Sequence, residues 1–227
     1  MIPTSSPKRP IIMVSSSVYG QEELLHRIYA QLTAMGYEVW MSHKGTIPVN
    51  SYEDTLKLSL KAVEDCDLFL GMITTHYGTT KDGDISITHA EMHRAQELNK
   101  PRWFLVHENV VFARQLLAKL GYANPDERHK LNLVKNNLFT DLRIIDLYEE
   151  MQGIVKKSAQ HDSLNTESSQ ETETGVRWVQ TYRQDADAML FTEAQFSRYQ
   201  DVEELLQKYL TLNEKLRKRL DAEGGEA

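Results

Sequence analysis

The run Asp67-Leu-Phe-Leu-Gly-Met-Ile73 is the most apolar short stretch of the chain. A loop rich in Thr, Gly and Asp follows from Thr74 to Asp84, and helical spacing of apolar residues then extends from Thr88 to Asn99. A short apolar run that ends in turn-forming residues is typical of a parallel strand covered on both faces. The stretch therefore predicts a strand, a crevice loop and a helix, which is the repeating unit of an α/β fold.

The same alternation extends to both sides of this unit. Three further strands and two further helices are predicted: strands at Pro10–Val14, Tyr37–Met41 and Pro101–Val106, and helices at Gln21–Met35 and Tyr52–Val63. In the second of these helices Leu56, Leu60 and Val63 share one face, which we expect to be buried. Strands that alternate with helices form right-handed βαβ units. We therefore expect an α/β fold: a three-layer, doubly wound parallel sheet of about five strands in the flavodoxin-like order 2-1-3-4-5, with extra C-terminal helices.

The second half of the chain is less regular. Its predicted elements are a helix at Val110–Leu120, interrupted helical signals over Leu131–Ile154, a polar stretch at Ser158–Thr174, a strand at Val176–Tyr182 and a long helix at Tyr199–Leu220. The polar stretch holds too few apolar residues to offset the entropy of ordering it. We therefore expect a core over residues 1–157, a flexible linker or loop over 158–174, and a fifth strand and long helix over 175–227 that complete the domain.

The charge argues against a nucleic-acid partner. The 227 residues include 26 Lys and Arg against 33 Asp and Glu, a net charge of −7, whereas a general nucleic-acid binder needs a cationic face. Ser158–Thr174 holds four acids and no Lys or Arg, so the rest of the chain carries only −7 + 4 = −3. The acidity therefore lies largely in the linker and says little against a small anionic nucleotide.

Composition also bounds the cellular setting. The mean hydropathy of −0.50 and the absence of a run of about 18 apolar residues argue against a membrane partner. A single cysteine, Cys66, permits neither an internal disulfide nor a cysteine-based zinc site. Together with the lack of a signal-peptide pattern, these features predict a cytoplasmic protein.

Hydroxyl groups and glycines follow the first and third predicted strands. In a doubly wound sheet, ligands bind beyond the carboxyl ends of the strands where the strand order reverses, and here that point lies between these two strands. The candidate ligand-binding residues are Ser15, Ser16, Ser17, Tyr19, Thr74, Thr75, His76, Tyr77 and Gly78, with Ser86 and Thr88 before the next helix. The alternative is that these residues only form the turns and helix caps.

Glu91 is the candidate catalytic residue. It falls in the first turn of the helix that leaves the crevice loop, at the ligand end. A carboxylate there could stabilise an oxocarbenium-like centre or attack an anomeric carbon. The structural alternative is equally specific, since Thr88-His-Ala-Glu91 fits a capping box in which Glu91 bonds the backbone N–H of Thr88.

Histidines near the same crevice are weaker candidates. His89 and His93 are four residues apart, a spacing that can bind zinc on a helix. No third ligand is predictable, so we expect no metal and no separate cofactor.

Short motifs along Ile11–Val106 resemble a bacterial domain-of-unknown-function family, number four-zero-six-two. The segments that carry the resemblance are Met13–Ser17, Asp67–Met72, Tyr77-Gly78, Ile85–Glu91, Ala95–Pro101 and a closing Phe196-Ser-Arg-Tyr-Gln-Asp-Val. That family is in turn similar to nucleoside 2-deoxyribosyltransferases and, more distantly, to TIR domains. Glu91, Ala95, Lys100 and Pro101 reproduce the deoxyribosyltransferase spacing. The resemblance implies that Glu91 cleaves or exchanges an N-glycosidic bond of a nucleoside or of NAD.

Two functions from different classes remain open at this point. The first is an N-glycosidic bond hydrolase or transferase that acts on NAD or on a nucleotide or nucleoside, as an effector in bacterial defence signalling. The alternative is a non-catalytic, TIR-like binding module that forms homo-oligomers through the long C-terminal helix.

Overall fold

Five parallel strands form the central sheet of the protein. The computed structural model describes residues 9–48, 52, 54–80, 85–134, 138–153, 178–198 and 208. The strands are β1 (Ile11–Ser16), β2 (Glu38–Trp40), β3 (Leu68–Ile73), β4 (Arg102–His107) and β5 (Trp178–Tyr182). Their order is β2-β1-β3-β4-β5, with every pair parallel. The predicted Rossmann-like α/β fold and its strand order are therefore confirmed.

Helices cover both faces of the sheet. They are α1 (Glu22–Ala34), α2 (Thr55–Asp65), α3 (Ile87–Glu97), α4 (Glu108–Lys119), α5 (Pro125–Arg128), α6 (Arg143–Gln152) and α7 (Asp185–Phe196), with a 3₁₀ turn at Ser42–Lys44. One apolar cluster joins the sheet to α1 and α7, and a second joins it to α2, α3, α4 and α6. Each strand of the sheet interior is consequently covered on both sides, which explains the continuous apolar runs of β1, β3 and β4.

The buried face of α2 differs from the predicted one. Leu56 and Leu60 are only half-buried, whereas Ser59 and Ala62 are buried together with Val63. A serine replaces a large apolar residue on this face because its hydroxyl bonds Glu91 of the neighbouring helix α3. The periodicity of apolar residues could not show this, since a polar tertiary contact overrides the hydrophobic pattern.

The C-terminal part contains a helix that the sequence pattern did not reveal. Helix α7 buries only Ala188, Thr192 and Phe196, so it lacks the broad apolar stripe from which helices are recognised. A capping box between Gln184 and Asp187 marks its start and was the available signal. The predicted helix at 199–220 and the linker at 158–174 lie outside the described residues, apart from a helical Lys208.

Gly71 allows α3 to approach the sheet closely. It pairs with Ser15 of β1 and Phe104 of β4, and an added Cβ would lie 2.6 Å from Phe104 Cδ1 and 3.1 Å from Met92 Cε. Met92 is the residue after Glu91 in α3. The absence of a side chain at Gly71 therefore lets α3, and with it the Glu91 carboxylate, lie close to the sheet. A glycine inside a strand often marks such a close approach.

Gly71→Ala is therefore expected to destabilise the protein by about 1 to 3 kcal/mol, because the new methyl group overpacks a closed core. Urea denaturation followed by circular dichroism measures this loss. An unchanged midpoint would show that Phe104 and Met92 can move aside.

Candidate functional site

A cleft of about 720 Å³ opens at the carboxyl ends of β1 and β3, the point where the strand order reverses. Its volume lies in the range of small-molecule sites. The lining residues are Ser16, Ser17, Val18, Tyr19, Ser42, Thr55, Ser59, His76, Gly78, Thr79, Ile87, Thr88, Glu91, Leu133, Val134, Phe139 and Thr140. Hydroxyl side chains dominate this set. Among the described lining residues, Glu91 is the one carboxylate, and none is Lys or Arg.

The Glu91 side chain lines this cleft although the residue is only 4% exposed. Ser15 Oγ of β1 donates a hydrogen bond to Glu91 Oε2 at 2.5 Å, and the Ser59 side chain of α2 provides a second hydrogen bond. Three elements of the fold, β1, α2 and α3, thus fix one carboxylate. The sequence placed Ser15 near Glu91 through strand-end geometry, but it did not indicate Ser59.

Burial raises the pKa of Glu91 above its ordinary value of 4.5, and the hydrogen bonds from Ser15 and Ser59 oppose that rise. Among the described residues, no cation is one of the groups that shift this pKa. A buried carboxylate normally has a cationic partner or several backbone donors, because removing a charge from water is costly. Strong desolvation of a cleft residue is typical of acids and nucleophiles in active sites.

The helix α3 begins differently from the predicted capping box. Ser86 is the N-cap, and its side chain accepts a hydrogen bond from the backbone N–H of His89 at 3.2 Å. Thr88 is therefore inside the first turn, and Glu91 lies in the second turn with its carboxylate on Ser15. The interpretation of Thr88 and Glu91 as a capping box was wrong, because Ser86 supplies the cap two residues earlier.

The loop after β3 is anchored from behind the cleft. Ser17 Oγ and Thr74 Oγ1 are 2.8 Å apart, and the Tyr77 hydroxyl lies 2.7 Å from His89 Nδ1. The backbone N–H of Tyr77 also donates to Thr140 Oγ1 at 3.1 Å. Thr74 and Tyr77 are buried in these contacts, so they hold the loop rather than line the cleft.

The predicted site residues divide into two groups. Seven of them line the cleft: Ser16, Ser17, Tyr19, His76, Gly78, Thr88 and Glu91. Four others are buried behind its wall: Ser15, Thr74, Tyr77 and Ser86. Thr75 is half-buried and is not among the lining residues. Strand-end geometry identifies a neighbourhood, but the direction of each side chain depends on contacts that a linear pattern does not contain.

Several lining residues were not predicted from the sequence. Thr55 and Ser59 stand four apart on α2, a spacing that puts both hydroxyls on one helix face. Ser42 follows β2 and obeys the same strand-end rule as the predicted residues. The connection between α5 and α6 adds an apolar lining, which consists of Leu133, Val134 and Phe139, together with the neighbouring Thr140. No local sequence signal predicted this part of the cleft.

The other motif residues have structural roles. Lys100 Nζ donates to the carbonyl oxygens of Glu64 and Cys66 at 2.7 and 2.6 Å, so it binds the end of α2 opposite to the end that lines the cleft. Ala95 is fully buried on the inner face of α3. These residues position the two helices that hold Glu91 and do not themselves line the cleft.

His89 and His93 have separate surroundings. His89 is buried between the Tyr77 hydroxyl and Glu150, with its Nε2 3.0 Å from Glu150 Oε2. His93 pairs with Glu97 on the exposed side of α3. Within the described ranges, no group of three His, Cys, Asp or Glu side chains is arranged to hold a metal ion.

The fold and site define a doubly wound α/β domain with a buried carboxylate at a cleft beyond the strand ends. The chain belongs to the family described as Domain of unknown function (DUF4062), whose model matches residues 11–163, about two thirds of its length. The match spans every cleft residue named above. A comparison with curated proteins finds no match. Over the described part of the chain, no helix has the length and apolar character needed to cross a membrane.

Proposed function

We propose that this protein cleaves or exchanges the N-glycosidic bond of NAD or of a nucleotide or nucleoside, with Glu91 as the catalytic carboxylate. One observation carries the proposal: Glu91 is buried at an open cleft, and its partners in the described part of the chain are two serine hydroxyls and no cation. Such an arrangement stabilises the fold poorly, because two neutral hydroxyl groups compensate a desolvated charge only in part. It suits a group that meets positive charge when a substrate reacts.

The chemistry requires the ionised form of Glu91. A ribosyl centre that loses its base passes through an oxocarbenium-like state, and a nearby carboxylate either stabilises that charge or bonds the anomeric carbon. Water or a second base then takes the sugar, which gives hydrolysis or exchange. The hydroxyl-rich lining suits a ribose, since Ser16, Ser17 and Thr88 can bond its hydroxyl groups.

A substrate panel tests this function. The full-length protein is incubated separately with NAD, nicotinamide riboside, adenosine, inosine, 2′-deoxyadenosine and uridine, and released base is quantified by chromatography. Exchange is tested by adding a second, isotope-labelled base. We expect release from at least one substrate by the wild type and none by Glu91→Gln. Equal release by the two proteins would refute the role of Glu91, and no release from any substrate would refute the proposed activity.

The second candidate is a non-catalytic, TIR-like module that works by assembly. Helix α4 favours it, because Phe112, Leu116 and Leu120 are exposed at a spacing of four and form one apolar stripe. Exposed apolar patches often mark protein contacts. Light scattering compares the full chain with a chain ended after Arg198, which keeps β5 and α7. A monomer in both cases, together with base release, would remove this candidate.

A cytoplasmic effector in bacterial defence signalling remains our proposal for the biological setting. Two features support this setting. The single cysteine suits a reducing compartment, and the sequence resembles TIR-like domains, of which some members cleave NAD. Cys66 is buried, and burial raises the pKa of its thiol to about 12, so it does not act as a nucleophile at this site.

A further inference from the structure

His76 lines the cleft and carries a buried polar atom that has no partner within the described part of the chain. Its Nε2 is buried and makes no hydrogen bond within the described part of the chain, and the residue lines the cleft. Buried polar atoms are nearly always hydrogen-bonded in native proteins, so each exception calls for an explanation. A ligand group that bonds Nε2 in the occupied cleft is one such explanation.

The surroundings of His76 hold its ring in place. The His76 backbone N–H donates to Thr74 Oγ1 at 3.2 Å, and Nδ1 lies 3.4 Å from Thr75 Oγ1. The neighbouring residues Thr74 and Tyr77 are both anchored behind the cleft. With Nδ1 turned towards Thr75, Nε2 is the ring nitrogen that has no partner among the described residues.

The same end of the cleft suits a flat, mostly apolar group. The Tyr19 ring lies 4.7 Å from the His76 ring, centroid to centroid, and Tyr19 is 65% exposed. Leu133, Val134 and Phe139 add apolar lining to this cleft. Aromatic and aliphatic side chains that line one cleft favour the face of a nucleobase.

We propose that His76 Nε2 binds a ring nitrogen of the nucleobase and donates a proton to it as the base departs. This step rests on the proposed N-glycosidic activity. The C1′–N bond breaks, its electron pair goes to the base, and the base nitrogen takes the proton from the imidazolium Nε2–H. Glu91 stabilises or bonds C1′ meanwhile. A water molecule then adds its hydroxyl to C1′, and its proton restores the imidazolium.

The proposal separates two classes of substrate. Neutral nucleosides such as adenosine lose a base that is a poor leaving group until it is protonated, so their cleavage needs the proton from His76. The pyridinium ring of nicotinamide riboside leaves as neutral nicotinamide and needs no proton. Glu91 serves both classes, whereas His76 serves only the first.

Three variants test this difference. His76→Gln keeps a hydrogen-bond donor but cannot transfer a proton, and His76→Ala removes both functions. His93→Gln is the matched control, since His93 is an exposed histidine of α3 outside the cleft. Each variant is compared with wild type on adenosine, inosine, nicotinamide riboside and 4-nitrophenyl β-D-ribofuranoside, whose leaving group also needs no proton. Circular dichroism and thermal melting verify folding.

We expect His76→Gln to lower kcat on adenosine and inosine by about 100-fold or more, with little change on the two activated substrates. An equal fall on all four substrates, or no fall on any, would overturn the proposal. So would a wild type that cleaves only the activated substrates. If no substrate is cleaved, the proposed activity fails, and adenine binding by calorimetry then decides this inference. Equal adenine affinity in wild type and His76→Ala would overturn it, and weaker affinity in His76→Ala would support the base contact.

Discussion

Glu91→Gln is expected to abolish base release and at the same time to make the protein more stable. The activity falls by about 1000-fold or more, because the amide can neither bond the anomeric carbon nor neutralise an oxocarbenium-like centre. The geometry should be retained, since the Gln side chain can accept a hydrogen bond from Ser15 and donate one to Ser59. Loss of activity would therefore report on the charge and not on the shape of the site.

The gain in stability follows from the direction of the pKa shift. Burial raises the pKa of Glu91 in the folded protein above its ordinary value of 4.5. Between these two pKa values the folded state binds more protons than the unfolded state, so the free energy of unfolding falls as the pH rises. Below pH 4.5 this loss is absent, and above the raised pKa it is complete. Glu91→Gln removes the titration, so its advantage over wild type grows across the same interval.

At neutral pH we expect the substitution to raise the free energy of unfolding by on the order of 1 kcal/mol, the size typical of single stabilising substitutions. For a protein of this size that corresponds to about 2 to 4 °C in melting temperature. Thermal melts of wild type and variant between pH 4 and pH 8 measure both the gain and its dependence on pH. The control is Glu97→Gln, which changes a half-exposed glutamate of the same helix.

Two results would contradict this account of Glu91. A destabilised Glu91→Gln would show that the carboxylate stabilises the fold, and an active one would show that its charge is not needed. The rate profile gives a further check, because a reaction that needs the carboxylate form should accelerate as the pH rises through the raised pKa.

Arg128→Met is expected to cost about 3 kcal/mol of stability, since it leaves two buried carboxylates without their shared cation. Arg128 is 1% exposed. Its Nη2 bonds Asp146 Oδ1 at 2.5 Å and Glu149 Oε2 at 2.6 Å, and its Nη1 bonds the carbonyl oxygen of Ala123 at 2.7 Å. In the variant, Asp146 still pairs with His129 and Glu149 still pairs with Arg114. The expected loss of stability is therefore at the lower end of the range for breaking a buried ion pair.

The same contacts connect the stability of the protein to the cleft. Arg128 belongs to α5, while Asp146 and Glu149 belong to α6, so their ion pairs join the two ends of the connection that carries Leu133 and Phe139. Arg128→Met should therefore also raise KM for a cleaved substrate, as the apolar wall is less well held.

Urea denaturation measures the loss of stability, and Arg27→Met is the control. Arg27 makes an exposed ion pair with Glu23 one helical turn away, which should contribute only about 0.5 kcal/mol. A similar small effect for Arg128→Met would show that its partners reorganise freely. An unchanged KM would show that the connection between α5 and α6 is held by other contacts.

Local sequence patterns were sufficient to predict the architecture. They failed to predict the buried face of a helix where small or polar side chains replace large apolar ones. The strands β1, β3 and β4 are apolar because helices cover both sides, so each was recognisable alone. Helix α7 buries an alanine and a threonine among its contacts, and α2 buries Ser59 where Leu56 and Leu60 were expected. In both helices the buried face follows from the neighbouring element and not from the hydrophobic period.

The sequence by itself determined the class of fold, the order of its strands and the end of the sheet at which a site can form. Those features depend on period, run length and strand ends, which are properties of short segments. The tertiary structure alone decided whether Glu91 caps a helix or lines a cleft. That outcome depends on Ser86 taking the cap position, on Ser59 reaching across from α2, and on Gly71 admitting α3 close to the sheet. These contacts join residues far apart in the chain, so no local pattern contains them.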